Sequence, residues 1–384
     1  VLFVTPALAE SELAVLAEID ELRSVLRQRI HEPRRWAGSL RRVQLARGVQ
    51  GSNSIEGFDA ALDDALAIDL GQEPLDPDQE TEAAIKGYRD AMTFVLQLAD
   101  ESDVTIDEQL LRSLHFMMTG YDLKVRPGRW RAGSIYVHDD ESRRVVYEGP
   151  EVEHVPPLMR ELAQSMAGET GEPVVVRAAM AHLNLVMIHP FRDGNGRMAR
   201  CLQTLVLARD GILPPVFSSI EEYLGRNAAA YYDVLATVGR GSWQPHNDAR
   251  PWLRFALTAH LRQASTMLRR AREIERLYFE LDGLIARERL PERSIEALFD
   301  AASGLRVRNA VYRALVERNH DLELADPTAS RDLRVLADKG LLQPVGEKRG
   351  RHYVAGPTLR GIRAEIVSRR PPRDDTDPFA DARG

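Results

Sequence analysis

The residues best placed to do chemistry stand in one run, Ile188-His189-Pro190-Phe191-Arg192-Asp193-Gly194-Asn195-Gly196-Arg197-Met198-Ala199-Arg200. Gly194-Asn195-Gly196 can turn sharply and open the next helix with free backbone N–H groups, which suits an anion such as phosphate. Arg197 and Arg200 are three residues apart, so on a helix they share a face and can both reach phosphate oxygens. Two guanidiniums suit a polyphosphate. Asp193 supplies one hard oxygen, and Mg²⁺ takes one or two carboxylates and completes its shell with water and phosphate oxygens. His189 is the one nearby side chain that accepts a proton near neutrality, which makes it the candidate general base. Singly these features are ordinary, since such turns are commonly loops, lone histidines are structural and paired arginines are solvated. Their joint occurrence points to one site.

The run must be held by helices. Apolar residues recur at three and four positions through most of the first 285 residues, with Pro and Gly between the periodic segments, so the class is mainly α. Helices are expected at 10–29, 37–50, 56–69, 81–98, 106–118, 155–167, 174–189, 195–210, 228–237 and 249–284. Arg129 to Tyr147 instead alternates β-branched or aromatic residues with polar ones around Asp139, Asp140, Glu141 and Ser142, the pattern of a hairpin that must rest on helices. After Glu288, short helical patterns at 295–302, 307–318 and 328–339 lead into Leu341 to Val354, which reads as a winged helix-turn-helix. There Leu333, Val335 and Leu336 are expected to face inward. Thr328, Ser330, Arg331 and Arg334 would face a groove, and the wing Lys348-Arg349-Gly350-Arg351-His352-Tyr353 would touch phosphate. The last stretch is poor in apolar residues and reads as disordered.

Composition narrows the class. No apolar stretch approaches the roughly 20 residues of a membrane span. The start lacks a basic leader with a long apolar segment, so no secretory signal is expected. Cys201 is the only cysteine, which excludes an intramolecular disulfide and a multi-cysteine zinc site and fits a cytoplasmic location. A net charge of -7 argues against a chain devoted to coating nucleic acid. Of 51 basic residues only Lys86, Lys124, Lys339 and Lys348 are lysines, a bias that points to a GC-rich bacterial genome.

The run from His189 to Arg200 resembles the signature of the Fic family, His-x-Phe-x-Asp-Gly-Asn-Gly-Arg-x-x-Arg, with every defining position present. The resemblance implies a Fic-type helical bundle with a β-hairpin flap, and transfer of AMP from ATP to a Ser, Thr or Tyr hydroxyl of a target protein. His189 would deprotonate the hydroxyl and Phe191 would anchor the loop. Asp193 would hold Mg²⁺, and Gly194, Asn195 and Gly196 would cradle phosphates beside Met198 and Ala199. Arg197 and Arg200 would hold the β and γ groups, and glycine at 196 favours AMP transfer over phosphorylation. Pro127-Gly128-Arg129-Trp130-Arg131 and the hairpin resemble the family's flap, with Ile135 against the nucleotide. Tyr231 and Tyr232 fall where relatives keep an aromatic pair beside adenine, unless both are helix core, and Gly239 stands where some relatives use asparagine. His182 reads as structural.

Ser52-Asn53-Ser54-Ile55-Glu56-Gly57 resembles the family's inhibitory pattern, which implies that Glu56 pairs with Arg200 and takes it from the γ-phosphate, with Ser52 on the same helical face. The same glutamate could instead serve a hydrolase that removes AMP, and a third reading is a DNA-binding regulator with a nucleotide-sensing Fic domain. The expected divisions are an N-terminal helical region, 1–105, with the inhibitory helix; a catalytic core, 106–260, with its flap at 126–149; a linking helix, 261–288; a winged helix domain, 289–358; and a disordered tail, 359–384. Expected partners are a target protein, the chain itself included, then DNA or protein at the winged helix and a second copy of the chain, with no membrane.

Overall fold

Apolar spacing and its punctuation set the helices. In the computed structural model, which describes all residues except 32–33, 99–100, 102–103, 139–143, 167–170, 210–212, 348–349, 373 and 381–384, the chain opens with α1 (Glu10–His31), α2 (Arg35–Ser54), α3 (Leu62–Asp69), α4 (Gln79–Leu98) and α5 (Glu108–Thr119). Asp107 starts α5 by accepting the Leu110 amide at 2.7 Å, the usual N-cap arrangement. A hairpin follows, β1 (Tyr136–His138) paired antiparallel with β2 (Val145–Glu148). Its expected turn at Asp139, Asp140, Glu141 and Ser142 lies outside the described residues. Next come α6 (Val155–Ser165), α7 (Val174–Ile188), α8 (Asn195–Ala208), α9 (Pro215–Ser218), α10 (Glu221–Arg226), α11 (Ala228–Gly239) and α12 (Arg250–Glu288). The chain continues through α13 (Ser294–Ala302), α14 (Asn309–His320), α15 (Asp326–Asp338), the antiparallel pair β3 (Leu342–Val345) and β4 (His352–Ala355), and α16 (Pro357–Ser368).

Helix α7 is apolar on nearly every side and therefore central, packed against α8 with Leu183, Leu185, Ile188, Leu202 and Leu205 all buried. Around them α4, α5, α6 and the first half of α12 close one core. The second core joins the early part of α2 (Trp36, Leu40, Val43) to the second half of α12 and to α13, α14, α15 and α16. With 39 residues α12 is about 58 Å long, and it runs through both cores. The division expected between residues 260 and 261 therefore falls inside one continuous helix.

Three expectations need correction. The helix expected over 56–69 begins at Leu62, because Gly57 adopts φ 82° and ends α2. There the Phe58 amide donates to the Asn53 carbonyl and the Gly57 amide to Ser54, both at 3.1 Å, the paired bonds of a glycine-terminated helix. The tail expected to be disordered forms α16, with Leu359 and Ile366 buried. Beyond it Arg370 pairs with Glu273 at 2.7 Å, Arg262 with Asp374 at 2.7 Å, and Phe379 is buried beneath Arg254. Few apolar residues suffice there because ion pairs and one aromatic dock the segment. Val335, expected inside, is exposed, while Leu333 and Leu336 are buried. Among the described residues no helix is long and apolar enough to cross a membrane.

Candidate active site

Two left-handed residues bracket the chemical loop. His189 ends α7 at φ 51° and Gly194 caps the start of α8 at φ 75°. Between them the Asn195 side chain closes a ring on Phe191, accepting its amide and donating to its carbonyl, both at 2.9 Å. Asn195 thus braces the turn with its side chain and has only its backbone N–H to offer a ligand. With Gly194 as cap, the amides of Asn195, Gly196 and Arg197 have no helical carbonyl to bond, so the start of α8 has the donors and the dipole end that suit an anion. Met198 and Ala199 are fully buried, and their side chains serve the core.

His189 is half-buried, and its Nδ1 lies 3.1 Å from the Val186 carbonyl. A carbonyl only accepts, so the proton sits on Nδ1 and the Nε2 lone pair is left basic. Burial lowers its pKa, against the opposing pull of that carbonyl and of Glu56. Asp193 keeps a half-exposed carboxylate 3.5 Å from Arg197. Arg197 is buried, stacked over Phe58 at 5.1 Å, and its Nε has no partner.

Arg200 is held by the end of α2. Its Nε donates to the Ser52 hydroxyl at 2.8 Å, and its Nη2 donates to the Ser52 carbonyl at 2.9 Å and to Glu56 Oε1 at 2.6 Å. Burial disfavours the charge, but Glu56 with Tyr231 and Tyr88 outweighs it and raises the Arg200 pKa above its ordinary value. Its Nη1 is buried without a partner. The same Glu56 oxygen lies against Gly196: a Cβ there would collide with it and stand 3.0 Å from Arg200 Nη1. Glycine at 196 is therefore also what lets the Glu56 carboxylate settle on the start of α8. Ser52, Glu56 and Gly57, expected to act together, meet at this site through the turn that Gly57 makes.

The aromatic pair divides. Tyr231 is buried, with its hydroxyl 2.9 Å from His182 Nε2, while Tyr232 is half-exposed and donates to the Ile55 carbonyl at 3.0 Å. His182 is a core residue as expected, bonded also to Gln203 at 2.6 Å, and burial pushes its pKa down to about 3. Gly239 packs closely against Tyr147: a Cβ there would lie 3.1 Å from the ring, so a longer residue would require the ring to give by a few tenths of an ångström. Ile135 packs beside Gly149 at the stalk of the hairpin, near the Ile188 carbonyl. Arg331 and Arg334 are exposed on α15, whose buried face belongs to the second core, and Lys348 and Arg349 of the expected wing lie outside the described residues.

Two residues without an assigned role hold the loop from the flap side. Arg131 donates from Nε to the His189 carbonyl at 3.0 Å and from its backbone amide to Pro190 at 2.8 Å, and it also binds Gly133 and Pro150. His115 lies under Phe191, and only its four-residue spacing from Thr119 could have drawn attention to it.

The bundle thus sets a helix N-terminus, two buried arginines and a histidine with a basic Nε2 side by side, an arrangement with the chemistry to receive a phosphorylated ligand. Residues 105–207 match the Fic/DOC family, and the chain carries a domain of that family. It is 32% identical over 158 residues to "Protein adenylyltransferase fic-1" of Caenorhabditis elegans, covering 41% of this chain and 27% of that protein. It is 29% identical over 182 residues to "Protein adenylyltransferase Fic" of Nematostella vectensis, covering 44% and 36%. The chain thus spans about a third of these relatives. They are animal proteins and lend no support to a bacterial origin read from composition. In fold it is similar to a Fic family protein from Desulfovibrio desulfuricans, with a TM-score of 0.58 at 22% identity over 92% of this chain and 98% of that one. It is likewise similar to Fic-1 of C. elegans, with a TM-score of 0.53 at 22% identity over 67% and 72%.

Proposed function

We propose that the chain transfers AMP from ATP to a hydroxyl of a target protein, and that Glu56 holds this activity back. The observation that carries the reading is that one helix terminus gathers His189, Arg197 and Arg200 while the Glu56 carboxylate sits in the same anion site. The target hydroxyl oxygen attacks the α-phosphorus, its proton passes to His189 Nε2, and the bond to the bridging oxygen breaks to release pyrophosphate. The α8 amides and the two guanidiniums take the growing negative charge, so that positioning and electrostatics do most of the work. Asp193 has a half-exposed carboxylate, and among the described residues no three potential ligands cluster around a metal. That fits Mg²⁺ arriving with the nucleotide and neutralising phosphate charge there. The target would add to the flap as a strand. The outer edge of β2 is already engaged at its last residue, where the Glu148 amide donates to the Gly241 carbonyl and the Glu148 carbonyl accepts from Trp243, which favours β1 for it.

With Glu56 on Arg200 and Gly196, negative charge stands where the terminal phosphate would go, so ATP binds weakly or out of line. Incubation with labelled ATP should give weak self-labelling that rises on Glu56→Gly and is lost on His189→Ala. No label in the Glu56 variant rejects the transferase. Because Glu56 lies at the phosphate end of the site, a hydrolase is the second reading; it requires AMP release from a modified target that depends on Glu56. We also read 289–358 as a winged helix that docks DNA or protein.

A further inference from the structure

His115 is buried on α5 and touches both halves of the site. The Gly128 amide, at the base of the flap, donates to its Nδ1 at 2.9 Å, and its Nε2 is 2.9 Å from the Asp193 carbonyl. A backbone amide only donates and a carbonyl only accepts, so the tautomer is fixed: Nδ1 bare and Nε2 protonated, the reverse of His189. Its ring stacks on Phe191 with centroids 3.7 Å apart and planes within 1°. One turn on, Thr119 donates to the His115 carbonyl at 2.7 Å, and its methyl would lie 3.0 Å from a Cβ on Gly194. A core histidine needs one partner to satisfy its N–H, whereas this one joins two loops from separate parts of the chain and underlies a third contact.

We propose that His115 is a positioning residue for the AMP transfer proposed above, the joint that sets the flap at a fixed distance from the catalytic loop. The inference rests on that reading of the reaction. The nucleotide subsite is braced separately, by the Asn195 ring on Phe191 and by the arginines of α8. Loss of the joint therefore moves the flap, and the hydroxyl it presents, relative to His189; the Asp193 carbonyl loses its donor as well, but ATP keeps the α8 amides and both guanidiniums, so its binding changes far less than the transfer rate.

The test uses the full chain in the Glu56→Gly background. His115→Phe keeps the stack and removes both polar ends. His115→Asn returns an acceptor near the Nδ1 position and His115→Gln a donor near the Nε2 position. Since a misplacement of about 1 Å costs on the order of 100-fold in rate, His115→Phe should lower the self-labelling rate at saturating ATP by about that factor. The KM for ATP should stay within about 3-fold, a shift equivalent to less than 1 kcal/mol. Asn and Gln should each recover part of the rate. Hydrogen exchange should quicken at 126–131 and 191–195 in the Phe variant, with Asn restoring protection mainly at the first segment and Gln mainly at the second. A full rate in His115→Phe, a KM for ATP that rises in step with the lost rate, or exchange that quickens evenly along the chain would each overturn the proposal. If the Glu56→Gly parent takes no label, the reaction reading fails, and the exchange pattern alone decides whether His115 is the joint.

Discussion

Gly51 and Gly225 meet backbone to backbone where α2 crosses α10: a Cβ on Gly225 would stand 2.7 Å from both the Cα and the carbonyl oxygen of Gly51. From Gly51 the chain runs directly into Ser52 and Glu56, so this crossing sets how deeply the turn that carries Glu56 sits over α8.

Gly225→Ala should push the end of α2 outward and weaken the hold of Glu56 on Arg200. Overpacking of this kind costs about 1–3 kcal/mol. If about 1.4 kcal/mol of that falls on the seated position of Glu56, the open population rises about tenfold. Labelling by Gly225→Ala should therefore climb toward the level of Glu56→Gly. A variant that stays folded by circular dichroism yet labels no faster than the parent would show that the crossing does not seat the brake.

Legibility in the sequence followed how local each determinant is. The loop from His189 to Arg200 could be read because its turn glycines, arginines and acid are contiguous, and the long apolar repeats placed α4, α7, α8 and α12 within a few residues. The pairing of Glu56 with Arg200, 144 residues apart, was implied only by the family pattern. Where structure depends on distant partners, periodicity is silent. The segment after Arg369 is poor in apolar residues yet docks through Arg262, Arg370 and Phe379, and His115 looks like any helical histidine until Gly128 and Asp193 are placed against it. Gly57 misled the helix limits because it ends one helix where composition would continue another.

Arg42 of α2 and Asp300 of α13 form an ion pair with both side chains buried, and two further guanidinium nitrogens of Arg42 have no partner. Removing one member leaves the other charged and unsolvated, so Asp300→Asn should lower unfolding stability by about 3–5 kcal/mol. Replacing both, as Arg42→Met with Asp300→Leu, should return most of it. Urea denaturation decides the matter: a double variant as unstable as the single one would mean that the pair contributes more than the penalty of orphaning one charge.

His182, enclosed by Gln203, Tyr231 and Trp252, carries a pKa near 3 in the fold against 6.5 when exposed. The unfolded chain binds the proton more readily across that window, so stability is complete above about pH 6.5 and falls as pH drops toward 3. Over the two units from pH 7 to 5 the loss from this group is about 2 kcal/mol. Glu221, raised to about 7 by burial, works in the opposite direction over the same range. The comparison is therefore made as a difference, in which Glu221 cancels. The stability of His182→Gln should fall by about 2 kcal/mol less than that of the parent between pH 7 and 5. Parallel curves would mean that His182 does not carry the acid sensitivity.

Arg331 and Arg334 lie on the exposed face of α15, while Asp332 between them turns inward to accept Arg293 at 2.7 Å and Tyr312 at 3.2 Å. The inward bonds fix the rotation of the helix, so both arginines are held outward at the spacing of adjacent helical turns. If 289–358 docks on duplex DNA, each would neutralise a phosphate, and the logarithm of affinity should fall with the logarithm of salt. Arg331→Ala should weaken binding at all sequences and reduce that slope by about 1. Because the whole chain is acidic, at -7, any attraction to DNA is local, and low salt is the most permissive condition for detecting it. A gel shift on random-sequence duplex at low salt is the direct measurement. No shift by the parent chain there would assign the exposed arginines to a protein partner or to solvent.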